Sequence, residues 1–362
     1  MNEFRREPED LIAEELDAVA RVLRSGWWIL GEEVAAFEKE WSATCAVRHT
    51  VGVASGLDAL EIGLRAIGIG PGDEVITTPM TAFATLLGIM RVGARPVLAD
   101  VDADTAILDL DSVSSCLSPK TRAVLVVHLY GQAAPLADFA DFCRSAGIAL
   151  VEDCAQAHGS RSAGVGVGTV GLVSGWSFYP TKNLGAIGDA GALTTNSAAI
   201  SEKARRLRNY GQSVRYYHPE AGMNSRLDEL QAAILRVRLR RLEAWIDLRR
   251  KVARAYAQRM RNDRIRALPL PADAAAHTHY LYVVTCERRD ALAQFLRERG
   301  VETLVHYPVP VHHQEPCKGV RLAPGGLARA EGHARSCLSL PCHPHMTDDE
   351  VGGVIEAVNA FR

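Results

Sequence analysis

Apolar and polar positions alternate in two regular ways along the chain from about residue 50. Short runs of β-branched and other apolar residues predict buried strands, and they read TVGVA, DEVITT, RPVLAD, AVLVVHL and IALVED. Longer segments between them have the spacing of amphipathic helices, and each ends in a glycine, at Gly68, Gly93 and Gly147. This alternation predicts a mostly parallel sheet with helices on both of its faces.

The pattern changes at residues 225–260, where about 36 residues favour a helix and contain neither glycine nor proline. This segment predicts one long helix that links two domains. Beyond it, HYLYVVTC, RDALAQFLRERG and TDDEVGGVIEAVNAF predict a strand and two helices of a smaller α+β domain. We therefore expect a large domain over residues 1–244, with an N-terminal helix, and a small C-terminal domain over residues 245–362.

Composition and charge exclude several classes of partner and location. The 362 residues include 41 basic and 43 acidic side chains, and the net charge of −2 gives no general attraction to nucleic acid or to a membrane surface. No apolar stretch approaches the roughly 18 residues of a membrane span, and the charged N-terminus lacks the apolar run of a signal peptide. The expected partner is a small molecule.

Cysteine and histidine usage bears on compartment and metals. The eight cysteines form no C-x-x-C pair, which is typical of reduced thiols in a cytoplasmic protein. Histidines near the late cysteines, at 312, 333, 343 and 345, do not have the spacing of a zinc module, so no metal site is expected.

Two residues carry the candidate chemistry. Asp153 ends a predicted buried strand, where open α/β sheets place their ligand crevice, although an isolated aspartate there can also cap a helix. Lys182 stands in WSFYPTKNLGAIGDAGALTTN, with three glycines and an aspartate in the nine residues after it. A lysine that attacks a carbonyl must be deprotonated, and confined surroundings favour that form. A carboxylate for a pyridine nitrogen and a lysine for an aldehyde are what pyridoxal phosphate needs.

A phosphate needs amide and hydroxyl donors at the start of a helix. ASGLDAL, residues 54–60, supplies a strand end, a Ser-Gly turn and a helix start in that order. A Ser-Gly pair can also cap any helix, so by itself it does not define a phosphate site.

Several motifs together resemble one family. EDCAQAHG, SFYPTKNLGAIGDAGALTTN, LRNYGQ and NSRLDELQAA are similar to those of the DegT/DnrJ/StrS family of sugar aminotransferases, which are pyridoxal phosphate (PLP) enzymes of fold type I. The resemblance extends from SGWWILGEEVAAFE to LSLPCHPHMTDDE, nearly the whole chain. It implies an α/β fold in which the large domain holds PLP and a mostly parallel, seven-stranded type of sheet, next to the smaller α+β domain.

The resemblance assigns roles around the cofactor ring. Lys182 matches the Schiff-base lysine, which also carries the proton of the 1,3-shift. Asp153 matches the partner of the pyridine nitrogen, Gln156 lies near the ring hydroxyl, and Ala155 packs on one ring face. His158 is compatible with either a catalytic or a structural role. The implied phosphate contacts are Ser55, the backbone of Gly56 and Leu57, and Ser177.

The chain departs from the family pattern in two places. Relatives commonly have threonine where Leu57 stands, so one hydroxyl contact to the phosphate is missing, although the amide remains. Many have an aromatic residue directly after the threonine that matches Thr81, whereas this chain has Ala82 there and Phe83 next. Phe83 either reaches the ring through a local shift or packs in the core.

The motif around Asn224 implies a shared active site. In the family this asparagine reaches the cofactor phosphate of the neighbouring subunit, so a homodimer is expected. Arg226 is a candidate for binding the carboxylate of the amino donor, or alternatively a helix-start residue paired with Asp228 or Glu229.

The substrate side is implied by two further segments. The loop with Trp27 and Trp28 borders the sugar pocket in the family, although two tryptophans can also be core residues. His306 and Tyr307 lie in TLVHYPVPVHHQE, which is similar to a segment of enzymes that aminate dTDP-linked 3-keto-6-deoxyhexoses. Tyr210 either lies near this site or packs at a helix end.

The resemblance therefore implies transfer of an amino group from L-glutamate to a nucleotide-linked ketosugar, in particular a dTDP-3-keto-6-deoxyhexose, with pyridoxamine phosphate as the intermediate form of the cofactor. A 4-ketosugar, a cyclitol ketone or an aromatic-amine precursor are alternatives within the same class. Related sugar 3-dehydratases replace the lysine by histidine, whereas Lys182 is present here. A non-catalytic regulatory protein on the same fold is the alternative from another class.

Overall fold

Strands and helices alternate from residue 49 to residue 153, as the apolar pattern predicts. The computed structural model describes residues 3–362. The strands are β1 (His49–Val53), β2 (Glu74–Thr77), β3 (Arg95–Leu98), β4 (Thr121–Val127), β5 (Ala149–Asp153), β6 (Arg161–Ser162), β7 (Val165–Gly166), β8 (Val173–Ser177), β9 (Gly191–Thr195), β10 (Arg266–Ala267), β11 (Tyr282–Thr285), β12 (Arg321–Leu322) and β13 (Cys337–Leu340). The α-helices are α1 (Glu9–Ser25), α2 (Glu32–Cys45), α3 (Gly56–Ala66), α4 (Phe83–Arg91), α5 (Leu110–Ser115), α6 (Leu136–Ala146), α7 (Ala198–Leu207), α8 (Glu229–Leu239), α9 (Leu242–Arg259), α10 (Arg289–Arg297), α11 (Ala328–Ser336) and α12 (Asp348–Ala360).

Eight strands form one sheet in the order β1, β9, β8, β5, β4, β2, β3 and β12. From β8 to β12 the neighbouring strands are parallel, and β9 is antiparallel to both β8 and β1. Seven of these strands come from residues 49–195, so the expected mostly parallel α/β sheet is confirmed. Because β4, β5 and β8 are parallel, their carboxyl ends meet at one edge of the sheet.

The sheet is buried on both faces. Ala123, Leu125 and Val127 of β4 belong to one apolar cluster, whereas Val124 and Val126 belong to another. Successive side chains of a strand point to opposite faces, so the two clusters cover the two sides of the sheet. This explains why the parallel strands are nearly continuous apolar runs rather than alternating ones.

The prediction of a single helix over residues 225–260 is wrong. Helix α8 ends at Leu239, and α9 begins at Leu242, so two residues separate the helices. Arg241 at the junction donates to Asp10 and Glu14 of α1, at 2.8 and 2.7 Å. The turn has neither glycine nor proline, and these contacts join it to α1, which lies far away in the sequence.

The C-terminal part contains the predicted strand and two helices. Strands β10, β11 and β13 form a separate antiparallel sheet, and α9, α10 and α12 pack around it in a third apolar cluster. The chain between β11 and β13 returns to the first cluster through β12 and α11, with Val311, Leu327, Ala330 and Ala334 buried there. No helix in residues 3–362 is both long and apolar enough to cross a membrane.

Candidate active site

Asp153 lies at the carboxyl end of β5 with its carboxylate held in place. Its side chain is buried, with 6% of the residue exposed. One oxygen accepts from the Thr85 hydroxyl at 2.8 Å, and the other accepts from the Ala155 N–H at 3.0 Å. Thr81 lies 2.7 Å from the Thr85 hydroxyl and extends this chain of hydrogen bonds. The carboxylate is thus oriented before any ligand binds, which suits a partner for a pyridinium N–H.

Glu152, the preceding residue, has a structural role. Its oxygens accept from His128 Nε2 at 3.0 Å and from the N–H groups of Gly168 and Gly171 at 2.7 and 2.6 Å. Burial alone would raise the pKa of Glu152, but the His128 hydrogen bond and these amides outweigh burial, so its pKa is lowered. Since His128 Nδ1 accepts from the Ala134 N–H, both ring nitrogens are engaged. This network ties the ends of β4 and β5 together directly behind Asp153.

Lys182 lies on the turn after β8, close to an aromatic residue that the sequence did not indicate. Its backbone N–H donates to the Tyr179 carbonyl at 2.9 Å. Its Nζ lies 3.5 Å from the Tyr280 hydroxyl and 4.5 Å from the centroid of the Tyr280 ring. Tyr280 lies two residues before β11 in the C-terminal part, so only the folded chain brings it to the lysine.

The start of α3 and the end of β8 form a cradle for a phosphate. Ser55 caps α3 by accepting from the Asp58 N–H at 3.1 Å. A Cβ atom on Gly56 would lie 2.6 Å from the Ser177 Cβ, so only glycine allows this approach. The first N–H groups of a helix have no partner within the helix and attract anions. The implied phosphate contacts Ser55, Gly56, Leu57 and Ser177 are therefore brought to one place, and they fit a phosphate.

Gln156 connects the cofactor side to the segment with His306 and Tyr307. Its Oε1 accepts from the Tyr130 N–H at 2.7 Å, and its Nε2 donates to the Tyr307 hydroxyl at 3.0 Å. The Tyr130 hydroxyl in turn donates to the His306 carbonyl. Burial raises the pKa of Tyr307, so its hydroxyl stays protonated. Both proposed substrate contacts from this segment therefore lie next to a proposed cofactor contact.

His306 lines a cavity of about 130 Å³ beside the lysine loop. Its Nδ1 lies 2.8 Å from the Ser339 hydroxyl. Burial, with the positive charge of Lys182, lowers the pKa of His306 to about 4. His306 is thus neutral near pH 7. His312 and His313 lie away from this cavity and face Glu331 of α11, at 3.2 and 3.6 Å.

His158 is a buried member of an aromatic cluster. Its ring centroid lies 5.8 Å from that of Trp41, 5.5 Å from Trp176 and 5.6 Å from Phe178. Burial and then the charge of Lys182 lower its pKa to about 3. A neutral imidazole packed among three aromatic rings supports the structural role of His158.

Phe83 is the first residue of α4, with Ala82 as the capping residue. Its ring is partly buried and packs against the first apolar cluster. This supports the interpretation in which Phe83 packs in the core.

Other candidate residues lie on an exposed surface. Asn224 is exposed and pairs through its backbone with Asn209. The Arg226 guanidinium donates to the Asn209 side chain at 3.1 Å and lies 5.1 Å from the Tyr210 ring, so its partner is not Asp228 or Glu229. The same surface and the loop before α2 expose several aromatic residues, namely Trp27 (64%), Trp28 (58%), Tyr210 (47%), Tyr216 (76%) and Tyr217 (69%).

The fixed Asp153 carboxylate, Lys182 on the turn after β8 and the anion cradle at the start of α3 are the groups that a PLP-dependent enzyme of fold type I needs at the carboxyl edge of its sheet. The chain belongs to the DegT/DnrJ/EryC1/StrS aminotransferase family, whose model matches residues 9–359. Members of this family depend on PLP.

Three known proteins are similar to this chain over nearly its whole length. The dTDP-3-amino-3,4,6-trideoxy-alpha-D-glucose transaminase of Streptomyces venezuelae is 44% identical over 353 residues, which cover 98% of this chain and 93% of that protein. A crystal structure of DesV from S. venezuelae, in complex with a ketimine intermediate, has a TM-score of 0.93 at 44% identity and covers 97% of this chain and 95% of that one. A pleiotropic regulatory protein of Geobacillus stearothermophilus is 39% identical and covers 100% of this chain and 98% of that protein.

Proposed function

We propose that this protein uses PLP to transfer an amino group from L-glutamate to a nucleotide-linked ketosugar, in particular a dTDP-3-keto-6-deoxyhexose. The observation that carries the proposal is the convergence of Lys182, the fixed Asp153 carboxylate and the Gly56–Ser177 cradle at one edge of the sheet. The 44% identity to a dTDP-sugar transaminase supports the choice of substrate.

Each residue of the site has a defined task in this reaction. The amides at the start of α3, with Ser55 and Ser177, would bind the phosphate, Asp153 would face the pyridine nitrogen, and Gln156 the ring hydroxyl. Bound in this way, PLP would supply an electron sink that makes a C–H bond next to nitrogen acidic. Lys182 would be its point of attachment, and its amine would take the proton from one carbon and deliver it to another.

The sugar and the amino donor would enter the site from the side of the segment that contains His306 and Tyr307. The Tyr307 hydroxyl and the neutral His306 offer hydrogen-bonding groups beside Gln156, without placing a charge there. Trp28 would supply an apolar wall for a base or a sugar ring. Arg226 has no acidic partner among the described residues, so its guanidinium is available for the carboxylate of glutamate.

The assembly in this proposal is a homodimer in which Asn224 reaches the phosphate of the partner subunit. The exposed aromatic surface supports it, because exposed patches of large apolar side chains mark interaction sites. All eight cysteines are free thiols, which supports a cytoplasmic location.

The test converts the PLP-loaded enzyme to its pyridoxamine form with glutamate and removes the excess donor. The dTDP-3-keto- and dTDP-4-keto-6-deoxyhexoses are then added separately, and the absorbance of the lysine-bound cofactor is followed. Its return with the 3-keto sugar alone supports the proposal, whereas its return with the 4-keto sugar alone supports the 4-ketosugar alternative. If neither sugar restores it, the nucleotide-sugar assignment is wrong and cyclitol ketones are tested next.

A regulatory protein without catalysis is the second candidate, because one relative at 39% identity is named a pleiotropic regulatory protein. Failure of the purified chain to bind PLP would favour it over the enzyme. The intact set of Lys182, Asp153 and Gln156 supports the enzyme instead.

A further inference from the structure

We infer that Tyr280 is a further catalytic residue, whose hydroxyl and ring stabilise the protonated Lys182 amine while that lysine carries the substrate proton. The inference rests on the proposed function, because it assigns a partner to the lysine of that site. Tyr280 lies in HTHYLYVV, about a hundred residues after the lysine motif.

Two interactions act on the same nitrogen. The Lys182 Nζ–H donates to the Tyr280 hydroxyl over 3.5 Å, and Nζ also lies 4.5 Å from the centre of the ring. A hydrogen bond from a charged donor and a cation above an aromatic face both favour the ammonium over the neutral amine. The Thr181 hydroxyl, 3.2 Å from the Tyr280 hydroxyl, helps to fix the phenol.

The positive charge of Lys182 acts on the Tyr280 hydroxyl. Burial alone would raise the pKa of Tyr280, but the charge of Lys182 and the hydrogen bonds from Thr181 and Lys182 outweigh it, with a further contribution from Arg249, and lower its pKa. The charge of Lys182 also acts on His158 and His306, and both histidines are neutral near pH 7. Neither histidine therefore stabilises a positive charge on Nζ as Tyr280 does.

The proton balance is simple. The neutral Lys182 amine takes a proton from a substrate carbon and becomes an ammonium, then gives that proton to a second carbon and returns to the amine. Tyr280 keeps its own proton throughout and stabilises the ammonium between the two transfers. Losing the hydroxyl should therefore slow proton transfer and leave cofactor binding intact.

The experiment compares Tyr280→Phe, which keeps the ring, with Tyr280→Leu, which removes ring and hydroxyl. Tyr282→Phe is the matched control, since Tyr282 lies two residues away and its buried hydroxyl has no hydrogen-bond partner among residues 3–362. Apoprotein is treated with formaldehyde and cyanoborohydride at pH 7 and pH 10, and methylation of Lys182 is measured by peptide mass spectrometry. Only the neutral Lys182 amine is methylated, so the ratio of the methylation rate at pH 7 to that at pH 10 reports how far the amine is protonated. A change in the access of the reagents to Lys182 alters both rates equally and leaves the ratio unchanged.

We expect the ratio of the pH 7 rate to the pH 10 rate to rise several-fold in Tyr280→Phe, further in Tyr280→Leu, and not in Tyr282→Phe. In the PLP-loaded enzyme, exchange of the glutamate α-proton in D₂O should slow at least about tenfold in Tyr280→Phe. If the ratio of the methylation rates is unchanged in Tyr280→Phe, the inference is wrong. It is also wrong if that ratio changes but the exchange of the glutamate α-proton does not, because Tyr280 then contacts Lys182 without assisting proton transfer. The labelling requires neither cofactor nor sugar, so its result is independent of whether the proposed substrate is correct.

Discussion

At the residue scale, close contacts explain the glycines around the lysine motif. A Cβ atom on Gly191 would collide with the backbone of Ser55, and one on Gly56 would meet Ser177. The start of α3 is therefore pressed against β8 and β9 with no room for a side chain. Composition alone shows only that glycines are frequent here, whereas the contacts show that they shape the phosphate cradle.

Gly56→Ala should weaken PLP binding without unfolding the protein. The added methyl would lie 2.6 Å from the Ser177 Cβ and push the α3 amides away from the serine hydroxyl. Overpacking of this kind costs about 1–3 kcal/mol, so the dissociation constant of PLP should rise about tenfold or more. The measurement is a PLP titration by absorbance. Gly353→Ala in α12, where a Cβ meets no described residue within 4 Å, is the control and should bind PLP normally.

At the element scale, two side chains of α8 hold distant elements together at the site. Glu229, at the start of α8, accepts from the N–H groups of Gly31, Glu33 and Val34 and so caps α2. Arg238, near its end, donates to the Gly185 carbonyl in the lysine loop at 3.0 Å. Helix α8 thus positions both the loop with the two tryptophans and the loop with the lysine.

Glu229→Gln should lower the free energy of unfolding by about 1–2 kcal/mol. The neutral amide offers one acceptor oxygen instead of two and loses the interaction of a negative charge with the start of α2. Urea unfolding measures the change. Glu243→Gln, at an exposed first-turn position of α9, is the control. Equal stability of the two variants would show that the cap contributes nothing.

At the scale of the whole molecule, buried histidines make stability depend on pH. Burial is the main cause that lowers the pKa of His158 and His279 to about 3 and that of His333 to about 4. The unfolded chain binds these protons below pH 6.5 or so, whereas the folded chain does not. Stability is therefore full above that pH and falls as the pH drops towards 4, by up to about 1.4 kcal/mol per pH unit for each such histidine.

His158→Phe should flatten this dependence. The phenyl ring fills a similar place among Trp41, Trp176 and Phe178, and one proton fewer is taken up on unfolding. Between pH 4 and pH 6, the slope of the unfolding free energy against pH should fall by about 1.4 kcal/mol per pH unit, which corresponds to one proton. Urea unfolding of the apoprotein at several pH values measures this slope. His218→Gln, on the exposed loop before Asn224, should leave the slope unchanged. If His158→Phe also leaves it unchanged, His158 is not neutral in the fold.

A mixture of two inactive variants tests the shared site of the proposed dimer. Lys182→Ala and Asn224→Ala should each lose activity, by at least about 100-fold for the lysine variant. If Asn224 acts in the partner's site, the hybrid dimer has one intact site, and the mixture should recover up to about a quarter of the parent activity. No recovery after subunit exchange would place Asn224 in its own subunit's site, and an active Asn224→Ala would remove it from the site.

The sequence by itself determined the strands β1 to β5, the parallel sheet and the identity of Asp153, Lys182 and Ser55 as candidates. Strand ends and helix starts are local features, and the motif around the lysine is specific enough to be recognised without coordinates. The segment with His306 and Tyr307 was also identified by its resemblance, but its contact with Gln156 was not.

Only the tertiary structure decided which distant groups meet. Tyr280 beside Lys182, Thr85 beside Asp153, and the break of the predicted long helix at Arg241 all depend on contacts between segments far apart in the sequence. Periodicity and propensity report what a segment prefers in isolation, whereas these features arise from packing one element against another. The family motif therefore gave the class of reaction, and the fold supplied the partner of its lysine.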